Sequence, residues 1–204
     1  MKTREWTYRQ SRDIFVKGAL KEGYVSRSAF KLIEIEKKYN IINNSHFIIE
    51  LGSSPGGWTQ VINQIKKNKN YKLICIDKID MKIKENNNNF FIKSDFINNN
   101  IVSNIQKIHN KKFNLILSDM SPNTTGHKHT DHLKIINIAQ EVLKFSKSNL
   151  SNNGSMIIKI FHGSDEKLFV KELKKNFLIV DFFKPNASRK ESSEIYIVCL
   201  KYKL

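Results

Sequence analysis

Short apolar runs that alternate with stretches of helical spacing are the feature of this chain that most limits its fold. The runs predicted as buried strands are 47–51, 72–77, 90–95, 113–119, 155–161, 178–183 and 195–200. Apolar residues recur at helical spacing in 27–39, 57–65, 133–150 and 166–176. This alternation predicts an α/β fold, with a mostly parallel seven-stranded sheet and helices on both faces. Only a loop joins the last two strands, so the last strand should be antiparallel.

The length and composition suit one globular domain. The chain has 204 residues, of which 40% are hydrophobic, so we expect a single domain over residues 1–204. No apolar run reaches the roughly 20 residues that cross a bilayer, and the N-terminus lacks the apolar stretch of a signal peptide. Cys75 and Cys199 lie inside separate apolar runs and are predicted to be buried thiols rather than a disulfide. We therefore expect a cytoplasmic protein that does not contact membranes.

The basic charge points to a nucleic-acid partner, although part of it needs discounting. The formal net charge is +16, but Lys, Ile and Asn dominate the sequence and all have A- and T-rich codons. The arginines are more informative because a guanidinium binds phosphate in a bidentate manner. Four of the five lie in or just after a basic extension, residues 1–25, which also carries aromatic residues; the five are Arg4, Arg9, Arg12, Arg27 and Arg189. We predict that this extension and Arg189 contact RNA; the alternative is a solvated helix whose aromatic residues pack on the core.

A glycine-rich loop follows the first predicted strand and opens a helix, which is typical of a ligand site in an α/β protein. Gly52 and Gly56 are four residues apart, a spacing that differs from the GxGxxG pattern of dinucleotide binders. The loop therefore favours a ligand without a pyrophosphate, such as S-adenosylmethionine, over the alternative of a plain tight turn. Asp77 and Asp95 end the next two strands, where they could bind ribose hydroxyls and an adenine amino group.

Four charged residues lie in or beside apolar segments where a buried sheet would not favour them. They are Lys31, Asp119, Lys159 and Glu194. A lysine with isoleucine on both sides, as at position 159, costs free energy unless it is paired or functional. The alternative is a strand-end lysine that extends its amine to water.

Several motifs together resemble the FtsJ/RrmJ (RlmE) family of S-adenosylmethionine-dependent ribose 2′-O-methyltransferases. The motifs are SRSAFKL at 26–32, LGSSPGGW at 51–58, SDMSPN at 118–123, IKIF at 158–161 and SRKESSEIY at 188–196. The resemblance covers essentially the whole chain and implies a Rossmann-like methyltransferase fold. It implies a catalytic tetrad of Lys31, Asp119, Lys159 and Glu194. It also implies cofactor contacts at Gly56, Trp58, Asp77, Asp95 and Asp119.

The compact length is most similar to the bacterial members of this family. The resemblance therefore implies a uridine of the large-subunit (23S) ribosomal RNA as substrate, in the A-loop of the assembled 50S subunit, and we expect a monomer. Two positions depart from the family pattern: Glu50 stands where relatives usually carry Asp, and the segment after Asn123 is atypical. Lys159 could act as a base or steer an oxygen lone pair, and the sequence leaves both roles open.

Three other functions remain open at the level of sequence. A transfer RNA could be the substrate, the protein could be a non-catalytic RNA-binding assembly factor, or the sheet could carry a nucleotide-dependent oxidoreductase. The glycine spacing and the lysine at position 159 disfavour the last of these. His127, His129 and His132 fit no common zinc spacing, so no metal site is predicted, and they are interpreted as a polar loop over the site.

Overall fold

The computed structural model describes Tyr8, residues 11–97 and residues 101–203. Its helices are α1 (Ile14–Lys21), α2 (Ser28–Tyr39), α3 (Gly57–Ile65), α4 (Ile101–Ile108), α5 (Lys128–Asn149) and α6 (Glu166–Asn176). Its strands are β1 (Phe47–Leu51), β2 (Lys72–Asp77), β3 (Asn89–Lys93), β4 (Phe113–Ser118), β5 (Leu150–Phe161), β6 (Phe177–Phe183) and β7 (Glu194–Tyr202). Every strand predicted from an apolar run is present.

The strands form one seven-stranded sheet in the order β3-β2-β1-β4-β5-β7-β6. The pairs β1·β2, β1·β4, β2·β3 and β4·β5 are parallel, whereas β7 runs antiparallel to both β5 and β6. The predicted α/β fold, with its antiparallel last strand, is therefore confirmed. In the described part of the chain, no helix is long and apolar enough to cross a membrane.

Two apolar cores cover the two faces of the sheet because side chains alternate along each strand. Ile49 and Leu51 of β1 belong to the core shared with α4, α5 and α6. Ile48 of the same strand belongs to the core shared with α2 and α3. Cys75 and Cys199 are buried free thiols, as predicted.

Three elements differ from the sequence prediction. Helix α5 begins at Lys128, not at Leu133, and so includes most of the histidine segment. Strand β5 begins at Leu150 directly after α5, not at Ser155, and its pairing with β4 shifts register between Phe113 and Leu115. Helix α4 was not predicted, although Ile101 and Ile105 are buried at helical spacing.

Part of the N-terminal extension packs on the core, whereas Tyr8 is 58% exposed. Ala19 of α1 and the following Tyr24 are buried in the core on the α2 side. The rings of Phe15 and Tyr24 each lie 5.8 Å from the ring of Phe30. Phe15 and Tyr24 therefore pack on the core, and RNA contact by the arginines of the extension stays a prediction.

Candidate active site

A cavity of about 510 Å³ opens at the carboxyl ends of the central parallel strands. Gly52 lies at its edge with a φ of 77°, a left-handed conformation that favours glycine. A β-carbon at this position would lie 2.8 Å from the backbone nitrogen of Met120. Glycine is therefore required for both the conformation of the loop and its close approach to the segment after β4.

Two predicted cofactor residues, Asp77 and Asp95, line this cavity. The carboxylate of Asp77 accepts hydrogen bonds of 2.9 Å from the backbone N–H groups of Ser54 and Ile79. Asp95 forms a 2.7 Å ion pair with Lys78. The hydrogen bond from Lys78 holds the pKa of Asp95 below its ordinary value, despite some burial. Backbone N–H groups thus hold Asp77, and Lys78 holds Asp95, at the mouth of the cavity.

Gly56 and Trp58 are not among the residues that line the cavity. Gly56 is the N-cap of α3, and the side chain of Trp58 is buried behind it. The indole N–H of Trp58 donates a 2.9 Å hydrogen bond to the carbonyl of Ser28 at the start of α2. The Trp58 side chain thus joins α3 to α2.

The four predicted tetrad residues form two adjacent ion pairs. Lys31 of α2 lies 2.6 Å from a carboxylate oxygen of Glu194. The Nζ of Lys159 donates to the Oδ1 of Asp119 at 3.0 Å and to its carbonyl oxygen at 2.6 Å. Lys159 is only 7% exposed, so it is paired inside the protein and does not extend its amine to water.

Tyr196 joins the two ion pairs and was not predicted as a site residue. Its hydroxyl donates a 2.6 Å hydrogen bond to the Oδ1 of Asp119, and the Nζ of Lys31 lies 5.8 Å from the centre of its ring. The sequence could have indicated Tyr196, because residues two apart in a strand share a face and Glu194 was already assigned to the site. Tyr196 also pairs directly with Lys159 across β5 and β7.

Asp119 belongs both to the ion pair with Lys159 and to the lining of the cavity. Burial alone would raise the pKa of its carboxyl group. The charges of Lys159 and Lys31 and the hydrogen bonds from Tyr196 and Lys159 outweigh burial and hold the pKa below its ordinary value. Asp119 therefore carries a negative charge inside the protein at neutral pH.

Glu50, the departure from the family pattern at the glycine loop, is a buried carboxyl group. It is 1% exposed, and its Oε2 accepts a 2.6 Å hydrogen bond from the hydroxyl of Thr59. Burial raises the pKa of Glu50 from 4.5 to about 8. The side chain is thus mainly neutral at pH 7 and supports the loop from beneath without a charge.

The sequence suggested that the histidine segment is a polar loop over the site. This interpretation is wrong, because most of the segment lies in α5. His132 lies in α5 and is buried, with Nδ1 2.9 Å from the carbonyl of Phe161 and Nε2 accepting from the N–H of Asp165. His127 and His129 are exposed. Across residues 11–97 and 101–203, no group of three or more His, Cys, Asp or Glu side chains is placed to hold a metal ion.

The predicted RNA-contacting arginines have different surroundings. Arg4 and Arg9 lie outside the described residues. Arg12 places its guanidinium 4.6 Å from the centre of the exposed Tyr8 ring. Arg27 is engaged within the protein: its guanidinium pairs with Asp13 and donates to the carbonyl of Ala187.

Arg189 lies beside this buried pair, at the edge of the same cluster. Its Nε is 3.6 Å from Asp13, and its side chain is 32% exposed. Of the two arginines near Asp13, Arg189 is therefore the one whose side chain reaches solvent.

Comparisons with known proteins identify chains that are similar over nearly the whole length. The chain is 42% identical to the ribosomal RNA large subunit methyltransferase E of Ehrlichia chaffeensis, over 100% of this chain and 95% of that protein. It is 40% identical to the protein of the same name from Anaplasma phagocytophilum, over 97% of this chain and 80% of that protein.

Two further findings concern the fold and the family. A crystal structure of a ribosomal RNA methyltransferase from Plasmodium falciparum superimposes with a TM-score of 0.79 and 32% identity, over 88% of this chain and 98% of that one. The family model for FtsJ-like methyltransferases matches residues 24–202. The chain therefore belongs to the FtsJ-like methyltransferase family.

Proposed function

We propose that this protein transfers a methyl group from S-adenosylmethionine to the ribose 2′-hydroxyl of a uridine in large-subunit (23S) ribosomal RNA. The substrate assignment is supported by relatives, 40% and 42% identical over nearly the whole chain, that are named for this RNA. Within that RNA we assign the A-loop of the assembled 50S subunit, and we place the reaction in the cytoplasm, where subunits mature.

The observation that carries the proposal is the position of Asp119. It lines the cavity at the carboxyl ends of the strands, and it holds Lys159 at hydrogen-bonding distance. A methyl donor in the cavity and an acceptor beside Lys159 would therefore meet at Asp119. Transfer between two bound groups depends chiefly on such alignment.

The cavity fits the methyl donor in size and in chemistry. Its volume of about 510 Å³ lies within the usual range for a cofactor site. Asp77 would bind the ribose hydroxyls, Asp95 the adenine amino group, and Asp119 the region nearest the acceptor. Gly56 and Trp58 do not line the cavity, but they follow Gly52 and Ser54, which do; we assign them cofactor contacts through backbone N–H groups at the start of α3. When bound, S-adenosylmethionine supplies a methyl group that a positively charged sulfur already activates.

Lys159 would act on the acceptor hydroxyl. Its Nζ donates two hydrogen bonds to Asp119, and an ammonium group has three donors. We assign the third N–H to one lone pair of the 2′-oxygen, so that the other lone pair points at the methyl group. The hydroxyl proton becomes strongly acidic as the oxygen is methylated and passes to water. Lys31 and Glu194 would keep the acceptor side of the site in place.

The RNA would be held by the predicted basic residues that reach solvent. Arg12 and Arg189 are available for phosphate contacts, and Arg4 and Arg9 are assigned to the same role from the sequence. Arg27 would support this surface indirectly and not bind phosphate itself, because its guanidinium is already bound to Asp13 and Ala187. We propose that a monomer carries the complete site, since all four tetrad residues come from one chain.

A Lys159→Ala variant tests this proposal. We expect methyl transfer to RNA to fall by at least about a hundredfold, because general acid–base and orienting groups typically contribute that much. The affinity for S-adenosylmethionine, measured by titration calorimetry, should stay within about twofold, since Lys159 does not line the cavity. The matched control is Lys147→Ala, which removes a half-exposed surface ion pair with Glu172. Retained transfer in Lys159→Ala, or an equal loss in the control, would contradict the assignment.

A further inference from the structure

The connection between β6 and β7 is fixed against α2 more firmly than a surface loop requires. Loops normally lie on the surface, with their backbone in water. Here Ala187 is 0% exposed and Ser188 is 7% exposed. We refer to residues 185–188 as the docked segment, because these residues lie against α2 just before the chain reaches Glu194.

Two charged residues hold the docked segment by its backbone. The carboxylate of Glu34 in α2 accepts the N–H groups of Asn186 and Ala187 at 2.7 and 2.9 Å, one on each oxygen. The guanidinium of Arg27 donates to the carbonyl of Ala187 and pairs with Asp13. Both backbone polar groups of Ala187 are thus bound by charged side chains, which form stronger hydrogen bonds than neutral ones.

The docked segment in turn contacts the tetrad. The hydroxyl of Ser188 donates a 2.8 Å hydrogen bond to the Oε1 of Glu194. Glu194 binds Lys31 through both carboxylate oxygens, at 2.6 and 2.8 Å. Lys31 and Glu34 are three residues apart in α2 and so lie on one side of that helix. The contacts form a closed circuit from Glu34 through Ser188 and Glu194 back to Lys31.

We propose that Glu34 is a positioning residue for methyl transfer: it fixes the docked segment so that Ser188 holds Glu194 in the orientation that binds Lys31. The proposal rests on the proposed function, because it assigns a role within that site. Glu34 touches neither the cavity nor the reacting groups, so it acts only through the docked segment. Without it, the hydrogen bond from Ser188 is lost and Glu194 can rotate away from Lys31.

Glu36 provides a matched control on the same helix. Like Glu34 it is half-buried, and its carboxylate accepts the N–H groups of Ile41, Ile42 and Asn43 at 2.9, 2.8 and 3.0 Å. Those residues follow α2 at its far end and make no contact with Glu194. Glu36→Gln should therefore lower the free energy of unfolding about as much as Glu34→Gln does, without affecting the tetrad.

The first test compares the turnover of Glu34→Gln and Glu36→Gln at a temperature well below both midpoints of unfolding. We expect kcat for RNA methylation to fall about tenfold in Glu34→Gln, the scale of one lost charged hydrogen bond, and less than twofold in Glu36→Gln. KM for S-adenosylmethionine should not change in either variant. Equal kcat values in the two variants, at matched loss of thermal stability, would overturn the proposal.

A double-mutant cycle tests whether Glu34 acts through Ser188. If both residues belong to one circuit, Glu34→Gln combined with Ser188→Ala should lower kcat no further than the more severe single change. The effects of Glu36→Gln and Ser188→Ala should multiply. Multiplying effects for the Glu34 pair would contradict the circuit.

A direct readout separates this proposal from the proposed function. In protein with ¹⁵N-labelled lysine, the ammonium signal of Lys31, assigned with Lys31→Arg, reports its ion pair with Glu194. We expect the signal to broaden or disappear in Glu34→Gln and to persist in Glu36→Gln. If the wild type methylates no RNA but this difference is observed, the proposed function fails and the positioning role stands. If the signal is unchanged in Glu34→Gln, the positioning role fails whatever the enzyme methylates.

Discussion

At the scale of single residues, the site depends on charges that are buried and paired. Asp119 remains ionised because two lysine charges and two side-chain hydrogen bonds outweigh its desolvation. Removing one partner of such a group leaves an uncompensated buried charge, which costs far more than the pair contributes. Substitutions at Lys159 or Asp119 should therefore be judged by cofactor binding and folding as well as by turnover.

Glu50 gives a prediction for stability against pH. Its pKa is about 8 in the folded protein and near 4.5 when unfolded, so the folded state binds the extra proton between these values. Stability is thus lost as the pH rises from about 4.5 to 8, by up to a few kcal/mol. Glu50→Gln keeps an acceptor for Thr59 and has no proton to lose.

The measurement for Glu50 is urea unfolding of both proteins from pH 5.5 to 8.5. We expect the stability of Glu50→Gln relative to the wild type to increase steadily with pH in this range. Comparing the two proteins cancels the titration of the other carboxylates. Parallel stability curves would show that Glu50 titrates at an ordinary pKa.

At the scale of elements, one glycine of the β1–α3 loop, Gly52, matters both for the conformation of the loop and for the shape of the cavity. Gly52 and Gly23 have nearly the same left-handed backbone, with φ of 77° and 76°. A β-carbon on Gly52 would meet the backbone of Met120, whereas one on Gly23 would meet nothing within 4 Å. The two positions thus separate the cost of conformation from the cost of contact.

We expect Gly23→Ala to destabilise the protein by about 1 kcal/mol, the cost of a left-handed alanine. Gly52→Ala should cost more and should weaken S-adenosylmethionine binding at least about tenfold, because the loop must move away from the cavity wall. Thermal unfolding and calorimetry measure the two effects. Equal effects of the two changes would mean that the close approach to Met120 is unimportant.

The elements also show what the sequence could predict. Apolar runs located the central strands β1, β2 and β4 because these strands are buried on both faces. The edge strand β6 was also found from its apolar residues, although much of it is exposed. The start of α5 was missed because the polar residues from Lys128 to His132 carry no apolar spacing. His132 and Asp131 are nevertheless buried there. The partners of His132 are the carbonyl of Phe161 and the N–H of Asp165, which lie about 30 residues away and leave no trace in local sequence.

The sequence indicated the four charged residues of the proposed tetrad one by one, but not the contacts between them. Lysine in an apolar strand indicates a paired or functional group, and the linked motifs indicated which residues belong together. The docking of residues 185–188 onto α2 depends on contacts more than 150 residues apart, such as that between Glu34 and Ala187. Likewise, the engagement of Arg27 by Asp13 could not be distinguished in sequence from an arginine that is free to bind RNA.

At the scale of the whole molecule, the net charge of +16 predicts salt-dependent RNA binding. Reversing Arg4, Arg9 and Arg12 to Glu should weaken RNA binding and reduce the slope of log affinity against log salt by about 3. S-adenosylmethionine affinity should not change. The control reverses the exposed lysines of α6, Lys167, Lys171 and Lys174, which alters the net charge equally. Equal losses in both variants would attribute binding to net charge rather than to the N-terminal arginines.

The most direct test of the central claim is methyl transfer from labelled S-adenosylmethionine, with the labelled nucleotide mapped. The substrates are undermethylated large ribosomal subunits, free ribosomal RNA and transfer RNA, each with the wild type and Lys159→Ala. We predict label at the 2′-oxygen of one uridine in the large-subunit RNA, in the A-loop, with the wild type alone. Label on transfer RNA would contradict the assigned substrate, and no label on any RNA by a protein that binds the cofactor would contradict the assigned function.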